Sequence, residues 1–141
     1  DSIYLVSKVV EGRYPNYKQV IPAEVFEKSE VERELLQECI TRAALVSDEK
    51  VTLSIKSGEL EITGQSTVGD SRETMGIDYE GAEVTVSFNP GFACDPLKAL
   101  TKDKVILEFR DEISPGIFRT DAPKEDDQIS FLCVIMPIRS D

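Results

Sequence analysis

Apolar and polar positions follow two different periods along this chain, and the switches between them mark its elements. Residues 2–10, Ser-Ile-Tyr-Leu-Val-Ser-Lys-Val-Val, read as a strand. From Pro15 to Pro22 the chain reads as an extended connector, because each proline removes a backbone donor and biases its predecessor away from helix. Residues 23–28 read as a short strand, with Val25, and Phe26 after it, as inward candidates. Ser29 then stands as an N-cap with Glu32 at capping-box spacing. Glu30, Glu32 and Glu34 place negative charge where a helix dipole is positive. Val31, Leu35, Leu36, Cys39, Ile40 and Ala43 recur at three- and four-residue steps, which predicts a helix over 30–45.

The period then shortens to two. Val51, Leu53 and Ile55 alternate with polar residues, Ser57-Gly58 makes a tight hairpin, and Leu60 and Ile62 alternate again. Strands are expected over 51–56, 59–64 and 71–79, with a longer loop at Gly69-Asp70. The pattern restarts with a strand over 81–88. Asn89-Pro90-Gly91 opens a second helix, 90–100, in which Pro96 is an awkward member. Three more strands are expected near 104–110, 116–121 and 129–136. The order strand, helix, strand, strand, strand therefore occurs twice, and Ala-Glu-Val appears at 23–25 and again at 82–84. Two such units can pair their sheets and set both helices on one face, giving an α+β domain with a helical layer against antiparallel sheet.

A chain of 141 residues with 40% apolar content fits one domain with a core of its own. Its net charge of −11 repels free duplex DNA on average, and composition alone reads as an acidic soluble protein. A field averaged over the surface does not exclude basic residues gathered on one face. Cys39, Cys94 and Cys133 are far apart, no CxxC occurs and there is no histidine, so neither a zinc site nor a disulfide framework is expected. Reduced, buried thiols in a cytoplasmic protein account for them. No apolar run approaches the roughly 20 residues of a membrane span, and no signal peptide is read at the start.

Catalytic chemistry finds little support. Asp111-Glu112 and Glu125-Asp126-Asp127 supply carboxylates for acid and base roles. Adjacent carboxylates on a strand point to opposite faces, however, and a run in a loop is solvated. No serine or cysteine stands in a nucleophile motif, and Gly58, Gly64, Gly69 and Gly76 are too scattered for a phosphate-cradling loop. No cofactor or metal is expected. A small acidic hydrolase using paired carboxylates and a stand-alone peptide-binding adaptor remain as alternatives to the reading that follows.

Two segments at opposite ends carry a resemblance. Gly12-Arg13-Tyr14-Pro15-Asn16-Tyr17-Lys18-Gln19-Val20-Ile21-Pro22 and Val134-Ile135-Met136-Pro137-Ile138-Arg139 together resemble the third domain of the bacterial sliding clamp, the beta subunit of DNA polymerase III. The resemblance covers nearly the whole chain. It implies the DNA-clamp fold, with residues 1–14 as the last strand of a preceding domain plus connector, and 15–141 as the clamp's C-terminal domain. On that reading the chain is expected to be a piece of a longer protein. It also implies a non-catalytic processivity factor that tethers polymerase to duplex DNA.

Site residues follow from the resemblance by position. A groove for linear peptides of polymerase, clamp-loader and repair proteins is implied for Pro15, Gln19 and Val20 in the connector and for Asn89 and Phe92 at the second helix start. It continues through Ile113, Ser114 and Pro115, then Val134, Ile135, Met136, Pro137, Ile138 and Arg139. Strand alternation allows only one parity of the last strand to face it. Gln19 stands where the family is often basic, Phe92 where tyrosine is common, and Lys50 runs directly into Val51 where some relatives carry an extra segment. Arg33, Arg42, Lys98, Lys102 and Lys104 are implied to face double-stranded DNA through its phosphates, without reading sequence. The alternative for them is ordinary solvated helix surface. Leu45 and Val46 match the contact with another clamp protomer, or else cap the core.

Overall fold

A computed structural model describes residues 2–22, 27–47, 49–120 and 131–139. Eight strands and two helices follow one another as β1 (Glu27–Glu32), α1 (Arg33–Ala44), β2 (Val51–Lys56), β3 (Glu59–Ser66), β4 (Gly69–Gly76), β5 (Val84–Phe88), α2 (Pro90–Ala99), β6 (Lys104–Phe109), β7 (Gly116–Arg119) and β8 (Leu132–Ile135). The repeated strand, helix, strand, strand, strand order is present. The two units are not separate, because each gives its first strand to the other. One antiparallel sheet runs β1-β6-β7-β8 and the other β4-β3-β2-β5. A bridge from Glu30 to Asp78 joins the sheets on one side, and the Ile138 amide, donating to the Ser87 carbonyl at 2.8 Å, joins them on the other.

The core lies between these sheets and the two helices. Leu36, Cys39, Ile40 and Ala43 of α1 and Ala93, Cys94 and Leu97 of α2 are buried, against Val51, Leu53, Ile55, Leu60 and Ile62 of the central strands. The helices pass in opposite directions. The Arg33 guanidinium donates to the Leu97 carbonyl at 3.2 Å, while the Thr41 hydroxyl lies 3.9 Å from the Cys94 sulfur. Gly64 turns inward on β3, and a side chain there would meet the Ala43 carbonyl, so glycine lets α1 lie close on the sheet. Phe88, Phe109 and Phe118 interlock with ring centroids 5.8–6.3 Å apart. Gly116 sits beside them with no room for a methyl group.

Several sequence expectations are corrected. Residues 2–10 form no strand, and Ile3, Leu5, Val6 and Val10 are almost fully exposed, because no described residue offers the backbone partner a strand requires. The connector holds a single 3-10 turn, Tyr17–Gln19, since the flanking prolines leave the residues between them free to turn. The inward candidates Val25 and Phe26 lie outside the described residues. Ser29 is no N-cap. It is buried within β1, paired with Leu107, and its hydroxyl has no partner among the described residues. Ladder pairing with β6 takes Ser29 to Glu32 into the sheet, so α1 starts at Arg33, whose amide is satisfied by the Asp103 carbonyl at 2.8 Å. The expected loop at Gly69-Asp70 is strand, and β3 and β4 join through the two residues Thr67 and Val68.

Candidate peptide groove and helical face

The second helix is held at its start by its own sequence. The Asn89 side chain accepts from the Phe92 amide at 3.2 Å, and Pro90 takes the first helical position, where no donor is needed. Pro96 is accommodated inside α2 and buried. This fixes Phe92 and Pro96 opposite β8. Between them lies an open, mainly apolar groove of about 540 Å³, lined by Phe92, Asp95, Pro96, Ala99, Phe131, Cys133, Val134, Ile135 and Met136. Phe92 is 65% and Met136 60% exposed, large apolar side chains held out on opposite walls.

Of the sequence-derived groove residues, the structure brings Phe92, Val134, Ile135 and Met136 together, with Asn89 capping the helix that carries one wall. Ile113, Ile138 and Arg139 line a smaller neighbouring hollow of about 150 Å³, with Thr52, Thr85, Ser87 and Glu112. Ser114 and Pro115 stand in the turn before β7, where the Asp111 carboxylate accepts from the Ile113 amide at 3.1 Å and the Ser114 amide at 2.6 Å. A hydrogen bond from the Ser114 side chain first, then those from the Ser114 and Ile113 amides, hold the Asp111 carboxyl below its ordinary range. Asp111 is thus occupied in building a turn. Pro137 follows β8, half-buried. Pro15, Gln19 and Val20 lie on the exposed N-terminal segment and line neither hollow.

The single-parity expectation is corrected. Cys133, Val134, Ile135 and Met136 all reach the groove, because β8 is the free edge of its sheet and ends at Ile135. Asp95, Pro96, Ala99, Phe131 and Cys133 were not anticipated there. The i, i+3 spacing of Phe92, Asp95 and Ala99's turn was the available signal. Cys133 is half-buried in the groove wall, unlike Cys39 and Cys94 in the core. Burial first, then the Asp95 carboxylate, pushes the Cys133 thiol up.

The basic residues do not form one free patch. Arg33 keeps a side chain only 15% exposed. Its guanidinium donates to the carbonyls of Lys102 at 2.8 Å and Leu97 at 3.2 Å and to Glu34 at 2.9 Å, tying the start of α1 to the end of α2. That corrects its placement as a solvent-facing contact. Arg42 pairs with Glu73 at 2.8 Å and Glu38 at 3.4 Å, and Lys104 pairs with Glu30 at 2.7 Å. Lys98 lies 3.8 Å from Asp95. Lys98, Lys102 and Lys104 share the end of the layer that Arg33 ties together, and Arg42 lies three turns away along α1. Leu45, just past α1, is 82% exposed, so it does not cap the core, while Val46 is half-buried. Among the described residues no group of three or more His, Cys, Asp or Glu could hold a metal ion, and no helix is long and apolar enough to cross a membrane. Glu125, Asp126 and Asp127 lie outside the described residues.

The family "DNA polymerase III beta subunit, C-terminal domain" matches residues 18–139. The chain belongs to that family. It is 34% identical over 143 residues to the beta sliding clamp of Chlamydia pneumoniae, covering 99% of this chain and 37% of the relative. To the beta sliding clamp of Escherichia coli K12 it is 32% identical over 137 residues, covering 94% and 36%. Solved structures agree. The sliding clamp of Pseudomonas aeruginosa bound to griselimycin superposes with a TM-score of 0.85 at 27% identity, over 95% of this chain and 36% of that one. The Thermotoga maritima beta subunit gives 0.83 at 28%, over 95% and 36%. This sliding-clamp domain therefore spans little more than a third of the relatives it matches.

Proposed function

We propose that this domain works in the cytoplasm as the C-terminal part of a DNA polymerase processivity clamp. It contributes to a ring around duplex DNA and performs no chemistry of its own. The observation that carries the reading is the apolar groove between α2 and β8, whose walls Phe92 and Met136 are exposed without a partner. Such a concave, sulfur- and aromatic-lined surface suits the leucine and aromatic anchors of a linear peptide. Polymerase, clamp-loader and repair proteins supply those peptides on this reading. Pro15, Gln19 and Val20 join the site when residues 1–14 pair as the last strand of a preceding domain. Their exposed apolar side chains fit that role. Lys98, Lys102 and Lys104 meet phosphates, and Leu45 with Val46 packs on another protomer. The interlocked duplicated units count against both a carboxylate hydrolase and a stand-alone adaptor.

The test is binding of a fluorescent peptide carrying a leucine–phenylalanine motif. Saturable binding, weakened about ten-fold or more by Phe92→Ala and by Met136→Ala, is the expected result for groove anchors. Absence of binding up to roughly millimolar peptide, where affinity is about −4 kcal/mol, in both this chain and one extended by the preceding domain sinks the reading.

A further inference from the structure

Among the described residues the groove has one carboxylate in an otherwise uncharged lining. Of its nine described lining residues eight carry no charge, and the ninth is Asp95. It stands one turn after Phe92 on the same side of α2, so it sits beside the aromatic wall rather than behind it. Cys133, on the opposite strand, lines the same groove, so the carboxylate and the strand face each other across it. Among the described residues the cation at Asp95 is Lys98, at 3.8 Å, with both side chains well exposed. Such a pair is weak and leaves the carboxylate available. The neighbouring hollow offers no comparable selectivity, since Arg139 and Glu112 line it together.

We propose that Asp95 makes this groove selective for linear peptides carrying a lysine or arginine beside their apolar anchors, over peptides carrying glutamate or aspartate there. The inference rests on the groove being a peptide site. It adds the charge of the occupant. A cationic side chain lying past the aromatic anchor meets the Asp95 carboxylate. An anionic one meets only repulsion. Because the whole chain carries −11, basic peptides are favoured everywhere on it, so the selectivity must be measured as the part that Asp95 alone supplies.

Three fluorescent peptides with one leucine–phenylalanine anchor and a flanking Lys, Gln or Glu are titrated into the wild type and Asp95→Asn. In about 20 mM salt the wild type prefers the Lys peptide to the Glu peptide by roughly three- to ten-fold, as attraction and repulsion at one exposed carboxylate allow. That ratio falls at least two-fold in Asp95→Asn, and the difference between the proteins closes in about 0.5 M salt. The Gln peptide is the neutral reference against which the Lys and Glu affinities are taken in each protein. An unchanged Lys-to-Glu ratio in Asp95→Asn overturns the proposal while leaving the groove standing. Loss of the Gln peptide in Asp95→Asn also overturns it, by making Asp95 a structural contact. A Gln peptide that binds neither this chain nor one extended by the preceding domain overturns the groove and the selectivity together.

Discussion

Gly116 is the position where one added carbon tests the packing behind the groove. A Cβ built there would lie 2.5 Å from Cζ of Phe88 and 2.8 Å from Cε1 of Phe109, inside any distance real side chains keep. Neither ring can yield alone, because both also pack on Phe118 with centroids 6.2 and 6.3 Å away. Overpacking of this kind costs about 1–3 kcal/mol, and an interlocked trio belongs in the upper half of that range. Gly116→Ala should therefore lower the urea midpoint by about 1 M, taking a slope of about 2 kcal/mol per M for a small domain. Gly76 is the control. A Cβ there meets nothing nearer than 4.0 Å, so Gly76→Ala should be neutral or slightly stabilising. Trimming the ring should relieve the clash, so Phe88→Leu should cost less in the Gly116→Ala background than in the wild type, a coupling a double-mutant cycle reads directly. The damage reaches the site. Gly116 pairs with Ile135 of the groove wall, and Phe88 precedes the Asn89 cap of the other wall. Peptide affinity should thus fall with stability. A Gly116→Ala midpoint within about 0.2 M of wild type refutes the argument.

Three further outcomes follow from single groups. Ser29→Ala should be neutral or stabilise by up to about 1 kcal/mol in chemical denaturation, since it removes a buried hydroxyl with no partner among the described residues. Asn89→Ala should cost about 1 kcal/mol by the loss of one N-cap bond, and should weaken peptide binding, since Phe92 is the residue whose amide it holds. Asp111 titrates below its ordinary 3.8 in the folded state, so its contribution is present above that value and is lost as pH falls through the folded pKa. Asp111→Asn keeps the side-chain acceptor and removes the titration, and should flatten the acid limb of a stability–pH profile below about pH 4.

Much of this fold is written locally, and the readings that failed are ones a long-range pairing decides. Val51, Leu53 and Ile55 against Leu60 and Ile62 gave their hairpin because one face is buried and the turn is two residues. Asn89-Pro90 gave the start of α2 because cap and first position are side-chain chemistry. Ser29 with Glu32 offered the same local signal and it was overridden. Six β1 residues pair with β6, 72 to 82 positions away, and that ladder outweighs a capping box. Exchange of first strands between the units is likewise a long-range choice with no local mark. In the groove, the apolar wall residues were readable by position. Asp95 was not, because a single exposed carboxylate on a helix looks like any solvated face until the strand opposite it is known.

The duplication also explains why an open apolar groove stands on one unit only. When the N-caps Glu32 and Asn89 and the strand registers are aligned, Ala99 corresponds to Arg42, Asp95 to Glu38 and Cys133 to Glu73. Ile135 corresponds to Met75, and both are buried. In the second unit the helix and edge strand present a small residue and a thiol, and space remains between them. In the first unit Arg42 crosses the same gap to Glu73 at 2.8 Å, with Glu38 at 3.4 Å, and fills it with ions. The bond to Glu73 drives the Arg42 pKa up and that to Arg42 drives the Glu73 pKa down, so the bridge stays charged at neutral pH. An apolar anchor entering there would have to desolvate that bridge, a penalty the α2–β8 groove does not impose. One backbone plan thus gives an open groove where its side chains are small and apolar, and a closed surface where they are long and paired.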